Sequence, residues 1–279
     1  MTSATATRRR VSFRDAVTHT AVITKRNVLR IVRLPQLLVF STIQPVMFLL
    51  LFNFVFGGAI DLGGAPVGGG SEYINWLIPG ILVQSAVFGA TSTSIGLTED
   101  LNAGVIDRFR SLPIARSGVL AGRTLADLVR NTFVNSLMLG VGFLMGWRFQ
   151  QGFLKMLLGL TLALLLGYAF SWVMASIGFA AKTPESAQAV GFPLIFPLVF
   201  ASSVFVPTQS MPGWLQVFAD NQPITVIANA VRSLMIPEQA LDFLELNQGA
   251  LVLQSLAWIV AIVAVFGYLS VRQYKRAVG

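Results

Sequence analysis

Runs of about twenty apolar residues, set off by charge or glycine, limit what this chain can fold into more than any other feature. A helix needs about 20 such residues to cross the hydrocarbon layer of a membrane, where every backbone polar group must be satisfied within the segment. Six candidate spans are visible: 37–56, 76–97, a third that starts charged near Val119 and is apolar over 132–147, 153–181, 187–206 and 250–271. Hydrophobic residues are 54% and charged residues 11% of the 279, where a soluble domain carries roughly 25% charged. The composition excludes disorder and argues against an ordinary soluble enzyme. The expected fold is an all-α integral membrane protein with six transmembrane helices.

An even number of spans puts both termini on one side. Of the twenty Lys and Arg residues, seventeen fall on the side of the termini and only Arg148, Lys155 and Arg232 on the other. The positive-inside rule then makes both termini cytoplasmic and the protein a multi-pass component of the cytoplasmic membrane. The net charge of +8 belongs to this asymmetry rather than to a nucleic-acid partner. No cleavable signal peptide is visible ahead of residue 37.

Much chemistry is excluded by what is missing. With no cysteine and one histidine, His19, thiolate and histidine-rich metal sites are out. There is no phosphate loop, no H-E-x-x-H and no G-x-S-x-G. The apolar centres of the spans lack Asp, Glu, Lys, Arg and His, which counts against an ion-coupled carrier and a charged pore.

Three other segments show helical pattern. Phe13, Val17, Thr20, Ala21, Thr24, Val28 and Ile31 recur at helical spacing among basic residues, so 1–36 is expected to hold an amphipathic helix on the inner leaflet, in contact with membrane lipids. In the inner segment 98–113, Leu101, Val105, Phe109 and Leu112 form an apolar stripe, with Glu99 and Asp100 where a helix N-terminus favours negative charge. Such a helix suits a partner groove; a membrane-hugging loop helix is the competing reading. The outer segment 207–248 holds two short apolar stretches parted by Asn221, Gln222 and Pro223, as in a hairpin dipping into the outer leaflet, with Trp214 at the interface.

Together, the span order, the basic amphipathic N-terminal helix, the inner GVIDRFRSLPIAR and the outer MPGWLQVFADNQPITVIANAVRSL resemble the permease of type-2 ATP-binding-cassette (ABC) exporters, in the daunorubicin-resistance-like branch. The resemblance covers essentially the whole chain. It implies one transmembrane domain over 37–271, with 98–113 as a coupling helix, 207–248 as a re-entrant hairpin and 272–279 as a cytoplasmic tail. It implies a second permease, identical or sibling, and two copies of an ABC ATPase subunit that holds ATP and magnesium, with no cofactor in this chain. It assigns ATPase coupling to Glu99, Asp100, Leu101, Val105, Ile106, Asp107, Arg108, Phe109 and Arg110, and exit shaping to a hairpin containing Trp214, Asn221, Pro223 and Arg232. Cargo would pass against the first, second and fifth spans.

An uncharged conduit suits hydrophobic or amphipathic cargo. The candidate lining is Gln44 and Asn53 on the first span, Gln84, Ser85 and Phe88 on the second, and Phe192, Phe196 and Phe200 on the fifth. Lipid contact and helix packing are the competing uses of these residues. The expected function is therefore an ATP-driven exporter permease for a drug or lipid. A polysaccharide or glycolipid exporter, a non-transporting membrane scaffold and an intramembrane lipid enzyme are the alternatives, the last lacking a visible catalytic pair.

Overall fold

The computed structural model describes residues 13–57, 73–104, 116–237 and 247–278, and their regular structure is entirely helical. In chain order the helices are α1 (Phe13–Arg33), α2 (Pro35–Leu51), which runs into a π-helical turn (Phe52–Phe56), α3 (Tyr73–Gly89), α4 (Thr91–Asn102) and α5 (Arg116–Leu144). They continue with α6 (Phe153–Ala180), α7 (Pro184–Phe200), α8 (Gly213–Asn221), α9 (Pro223–Met235) and α10 (Gln248–Val278). Four stretches are long and apolar enough to cross a membrane: Leu38–Phe56, Tyr73–Asn102, Phe153–Ala180 and Gln248–Tyr274. Of the other two expected spans, α5 opens on Arg123, Asp127 and Arg130, and α7 is 17 residues long.

Helix α6 is the axle. It packs against α3, α4, α5, α7, α9 and α10, as a helix apolar on all sides must when it sits at the centre of a bundle. Its glycines set the spacing. A Cβ at Gly167 would lie 2.8 Å from the Ala86 carbonyl oxygen, and one at Gly178 would lie 2.8 Å from that of Ser94. Small residues at such contacts let helix backbones approach where lipid supplies no hydrophobic drive. Around this axle lies the apolar core, with Leu77, Ile81, Leu82, Met138, Leu166, Ile195 and Ile227 all fully buried. By contrast, α2 keeps Val39, Phe40, Ile43 and Met47 exposed, a face that only acyl chains or another protein can cover.

Several sequence boundaries move. The second span is one stretch in which a single residue, Ala90, interrupts the regular bonding between α3 and α4 while keeping right-handed helical dihedrals (φ −62°, ψ −22°). The fifth span ends at Phe200, and 201–206 leave the helix to fold back over the bundle end. The residues read as a tail from 272 continue α10 to Val278. The two stretches about Gln222 are indeed helices, but they differ: α9 is buried along its length from Ile224 to Met235, while α8 exposes Trp214, Val217 and Phe218.

The pattern of α1 also acquires a different partner. Ile23 and Asn27 are buried, and Thr20, Thr24, Val28 and Ile31 are half-buried. This stripe turns to α5 rather than to lipid alone, and a Cβ at Gly122 would meet the Ile23 side chain at 2.8 Å. Val17, stripe member by spacing, is instead exposed along with Val22, Leu29 and Val32.

Candidate functional site

Along the side of the bundle where α2, α3 and α7 meet, aromatic rings form one continuous ladder. It starts at Phe88 on α3, 5.7 Å from Phe192, and climbs α7 through Phe196 to Phe200, the last two stacked at 4.2 Å. Phe205 then bridges to α2: it lies 5.0 Å from Phe200, 5.8 Å from Phe48, and stacks on Phe52 at 4.1 Å. Phe56 ends the series, 5.2 Å from Phe52. The four-residue spacing on α7 aligns its rings on one helical face, and offset or edge contacts between rings are favourable in themselves. Phe192 and Phe196 remain about two-fifths exposed (43% and 39%), so the ladder is a wall open on one side.

The proposed lining residues divide around it. Phe88, Phe192, Phe196 and Phe200 come together. Gln84 lies one helical turn before Phe88 and is buried, its amide oxygen without a hydrogen-bond partner. Asn53 sits in the π turn between Phe52 and Phe56 with its amide oxygen likewise unpartnered. Gln44 is exposed on α2. Ser85 is committed elsewhere: its hydroxyl donates to Asn135 Oδ1 of α5 at 2.8 Å. Phe48, Phe52 and Phe205, which complete the ladder, were not among the expected residues. The i, i+4 spacing of Phe48, Phe52 and Phe56 carried that signal; Phe205, beyond the end of a helix, carried none.

At the basic end of the bundle lies a buried polar network. Asp127, 3% exposed, accepts from Ser92 Oγ at 2.9 Å and Thr93 Oγ1 at 2.5 Å, with Arg123 and Arg130 each 3.8 Å away. Asn131 donates to the Ala86 carbonyl, and Arg130 donates to that of Gly89. Through these bonds α5 holds the α3–α4 turn. Glu99 and Asp100 correct the sequence reading: they lie in the last turn of α4, not in the first turn of a coupling helix, and Leu101 lies with them. Acidic groups there oppose the helix dipole. Arginines offset it: Arg30 pairs with Glu99 at 3.0 Å, and Arg26 and Arg123 lie 3.6 and 3.7 Å from Asp100. The acid pair imitated a helix start because its basic partners lie elsewhere in the chain. Gly104, at φ +64°, ends the described segment in a left-handed turn. Val105, Ile106, Asp107, Arg108, Phe109 and Arg110 lie outside the described residues.

At the opposite end, the hairpin is fastened by one side chain. Arg232 on α9 is fully buried. Its Nε donates to the Trp76 carbonyl at 3.1 Å, Nη1 to Ser203 Oγ and Asn229 Oδ1 at 3.0 Å each, and Nη2 to the Ser203 and Val204 carbonyls at 2.7 and 2.8 Å. The guanidinium carbon lies 3.7 Å from the Trp76 ring centroid, close enough for a cation–π contact. Tyr73 adds a bond from its hydroxyl to the Phe205 carbonyl at 2.9 Å. Thus α9, α3 and the 201–206 segment are tied together, and the ladder's Phe205 is set in place. Of the other hairpin residues, Trp214 is exposed, Asn221 caps its own helix end through the Val217 carbonyl, and Pro223 opens α9. Gln222, between the arms, donates to the Leu198 and Ala201 carbonyls at the end of α7.

Gly80 shows how tight this fastening is. A Cβ there would lie 2.2 Å from the Val204 carbonyl oxygen and 2.9 Å from Arg232 Nη2. The first obstacle is backbone, so no rotamer change relieves it. Gly80→Ala is expected to destabilise the protein by about 1–3 kcal/mol, the usual range for overpacking, read as a lower thermal midpoint in detergent. An unchanged midpoint would show that the segment is loosely held.

The described residues thus form a helical bundle with four apolar stretches of membrane-spanning length, an uncharged aromatic wall, a buried ionic network at one end and a buried arginine at the other. The chain belongs to the ABC-2 type transporter family, whose sequence profile matches residues 18–236; it is the transmembrane, non-catalytic kind of ABC component. It is 34% identical over 201 residues to the daunorubicin resistance ABC transporter permease protein DrrB1 of Streptomyces coeruleorubidus, covering 72% of this chain and 69% of that one. It is 28% identical over 193 residues to the probable doxorubicin resistance ABC transporter permease protein DrrC of Mycobacterium tuberculosis, covering 69% and 67%. A putative transport permease, ycf38 of Cyanophora paradoxa, is 26% identical over 230 residues, covering 76% and 72%. Membership in this family brings an ABC ATPase partner and pairing of permeases.

Proposed function

We propose that this chain is the permease subunit of an ATP-driven exporter that moves a hydrophobic or amphipathic cargo, a drug or a lipid, out across the cytoplasmic membrane. The aromatic ladder carries the reading. It runs between α2, α3 and α7, is open on one side and carries no ionised side chain. Such a wall binds apolar, preferentially ring-bearing molecules through area and ring geometry, without selecting for charge. The resistance functions in the names of two relatives agree with cargo of this kind.

In this reading α2, α3 with α4, α5, α6, α7 and α10 are the six spans. Both termini and the basic end face the cytoplasm, as the Lys and Arg distribution favours. The hairpin α8–α9 lies at the outer face, its exposed Trp214, Val217 and Phe218 in the outer leaflet. Two copies of the ATPase hold ATP and magnesium, and a second permease, identical or sibling, closes the path. Residues 98–113 couple the two kinds of subunit, with Val105, Ile106, Asp107, Arg108, Phe109 and Arg110 at the docking surface. Rigid-body motion of the permeases then follows from the ATPase binding one arrangement better than the other.

The test is purification from native membranes in mild detergent, with mass spectrometry of what stays bound. A stoichiometric ATPase subunit is the expected result; an intact, folded preparation without one removes the exporter assignment. Phe109→Asp is expected to leave the protein inserted but to abolish ATPase retention and cargo export. Normal retention and export in that variant would take Phe109 out of the coupling surface.

A further inference from the structure

At the basic end, α1, α4 and α5 enclose a cavity of about 230 Å³. Its polar wall is Asn27 and Arg30 from α1, Glu99 from α4, and Arg123, Asp127 and Arg130 from α5. Most of these groups are used. Both Asp127 oxygens accept hydroxyl bonds, Glu99 takes Arg30, Arg123 donates to the Ser92 carbonyl, and Arg130 Nη2 donates to that of Gly89. Two donors are left over. Arg130 Nε and Asn27 Nδ2 are both buried without an acceptor, on side chains that line this cavity. Asn27 is 6% exposed and the Arg130 side chain 10%. Buried donors of this kind are costly unless something accepts from them.

The charges point the same way. Arg26, Arg30, Arg123 and Arg130 face Glu99, Asp100 and Asp127, which leaves one positive charge in excess. We propose that this cavity binds one phosphate-bearing anion, with a phosphate oxygen accepting from Arg130 Nε and Asn27 Nδ2, which lie closed to solvent on the lining side chains and turn toward the anion to reach it. A monoanionic phosphodiester balances the charge and supplies the missing acceptor, and guanidinium donors match phosphate geometry. Ile31 and Ile95 form an apolar part of the wall, able to receive the carbon next to the phosphate. The same chemistry is offered by a phospholipid headgroup and by free phosphate. The surroundings favour the lipid, since α1 exposes Val22, Leu29 and Val32 next to Lys25 and Arg33, the make-up of a helix seated in a headgroup layer. An anion there would join α1 to α5 through bonds that no protein group provides. The site stands whether or not the chain exports anything.

The experiment uses the protein purified with its bound subunits, in phosphatidylcholine nanodiscs with and without phosphatidylglycerol, and counts retained lipid by native mass spectrometry. The expected result is one phosphatidylglycerol per chain. Retention should fall about tenfold in Asn27→Asp, the scale set by one lost bond to a charged group, and in Arg130→Gln. It should be unchanged in Arg33→Gln, an exposed cation outside the cavity. If Arg130→Gln fails to fold, Asn27→Asp decides. Equal retention in parent and Asn27→Asp, or equal loss in Arg33→Gln, overturns the proposal. Inorganic phosphate is tested separately, by the thermal midpoint in neutral detergent. A rise in the parent but not in Asn27→Asp, with no lipid retained, assigns the same site to a free anion. Silence of both probes overturns it and leaves the donors to water.

Discussion

Arg232→Ala is expected to remove most of the folded protein. The substitution leaves the carbonyls of Trp76, Ser203 and Val204 and the oxygens of Ser203 and Asn229 without the donor that joins them. Truncating a buried, fully hydrogen-bonded charge costs about 3–5 kcal/mol, a large fraction of a typical stability of about 5–15 kcal/mol. The measurement is the yield of monodisperse protein and its thermal midpoint in detergent. Arg232→Lys sharpens the test. An ammonium has three donors on a flexible stem and cannot span five acceptors in the way a planar fork does. Lys is therefore expected to recover little of the loss, and to release the 201–206 segment that carries Phe205. A Lys variant with the parent midpoint would show that charge alone, not the fork, fastens the hairpin.

Asp127→Leu is the second large effect, at the other end of the bundle. Among the described residues Asp127 is the carboxylate shared by Arg123 and Arg130, and it accepts from Ser92 and Thr93. Leucine leaves two hydroxyls without their acceptor and two neighbouring cations without a common counter-charge. The expected loss is again about 3–5 kcal/mol. Asp127→Asn keeps the shape and one acceptor oxygen, so it should lose less, about 1–3 kcal/mol. The ordering Asp, Asn, Leu in thermal midpoint is the readout. Equal midpoints for Asn and Leu would mean that charge dominates and the hydroxyl bonds add nothing. Equal midpoints for all three would show that the α3–α4 turn is held by packing alone.

The same two residues show what was legible before the structure. Asp127 lies in the charged start of the third span, where the sequence gives no sign of its buried bonds to Ser92 and Thr93. Those partners belong to a run of small polar residues, 91–94, whose composition suits close helix packing as well. Arg232 falls in the segment expected to be an outer hairpin dipping into the leaflet, and it is among the largest wholly buried side chains. A lone arginine in an apolar stretch announces neither burial nor partners, because its acceptors are mostly backbone carbonyls 28 to 156 residues away in sequence. Glu99 and Asp100 misled for a related reason: their position in a helix was inferred from local charge, while Arg26, Arg30 and Arg123 stabilise them across the bundle.

The sequence by itself determined that the chain is helical, that it is membrane-embedded and which family it belongs to. The first two rest on composition and on periodicities of a few residues, since a helix satisfies its own backbone without help from distant segments; the family rests on the resemblance carried by the inner GVIDRFRSLPIAR and the outer MPGWLQVFADNQPITVIANAVRSL. The stripe of Phe192, Phe196 and Phe200 was legible from periodicity too. Only the tertiary structure decided that these rings continue through Phe205 to Phe48 and Phe52, that α6 is the axle, and that Arg232 ties the hairpin to α3 and to 201–206. Each of these depends on groups far apart in the chain meeting at contact distance. Periodicity shows which face of a helix is apolar but not which neighbour meets it, and hydrogen bonds to carbonyls leave no trace in residue type.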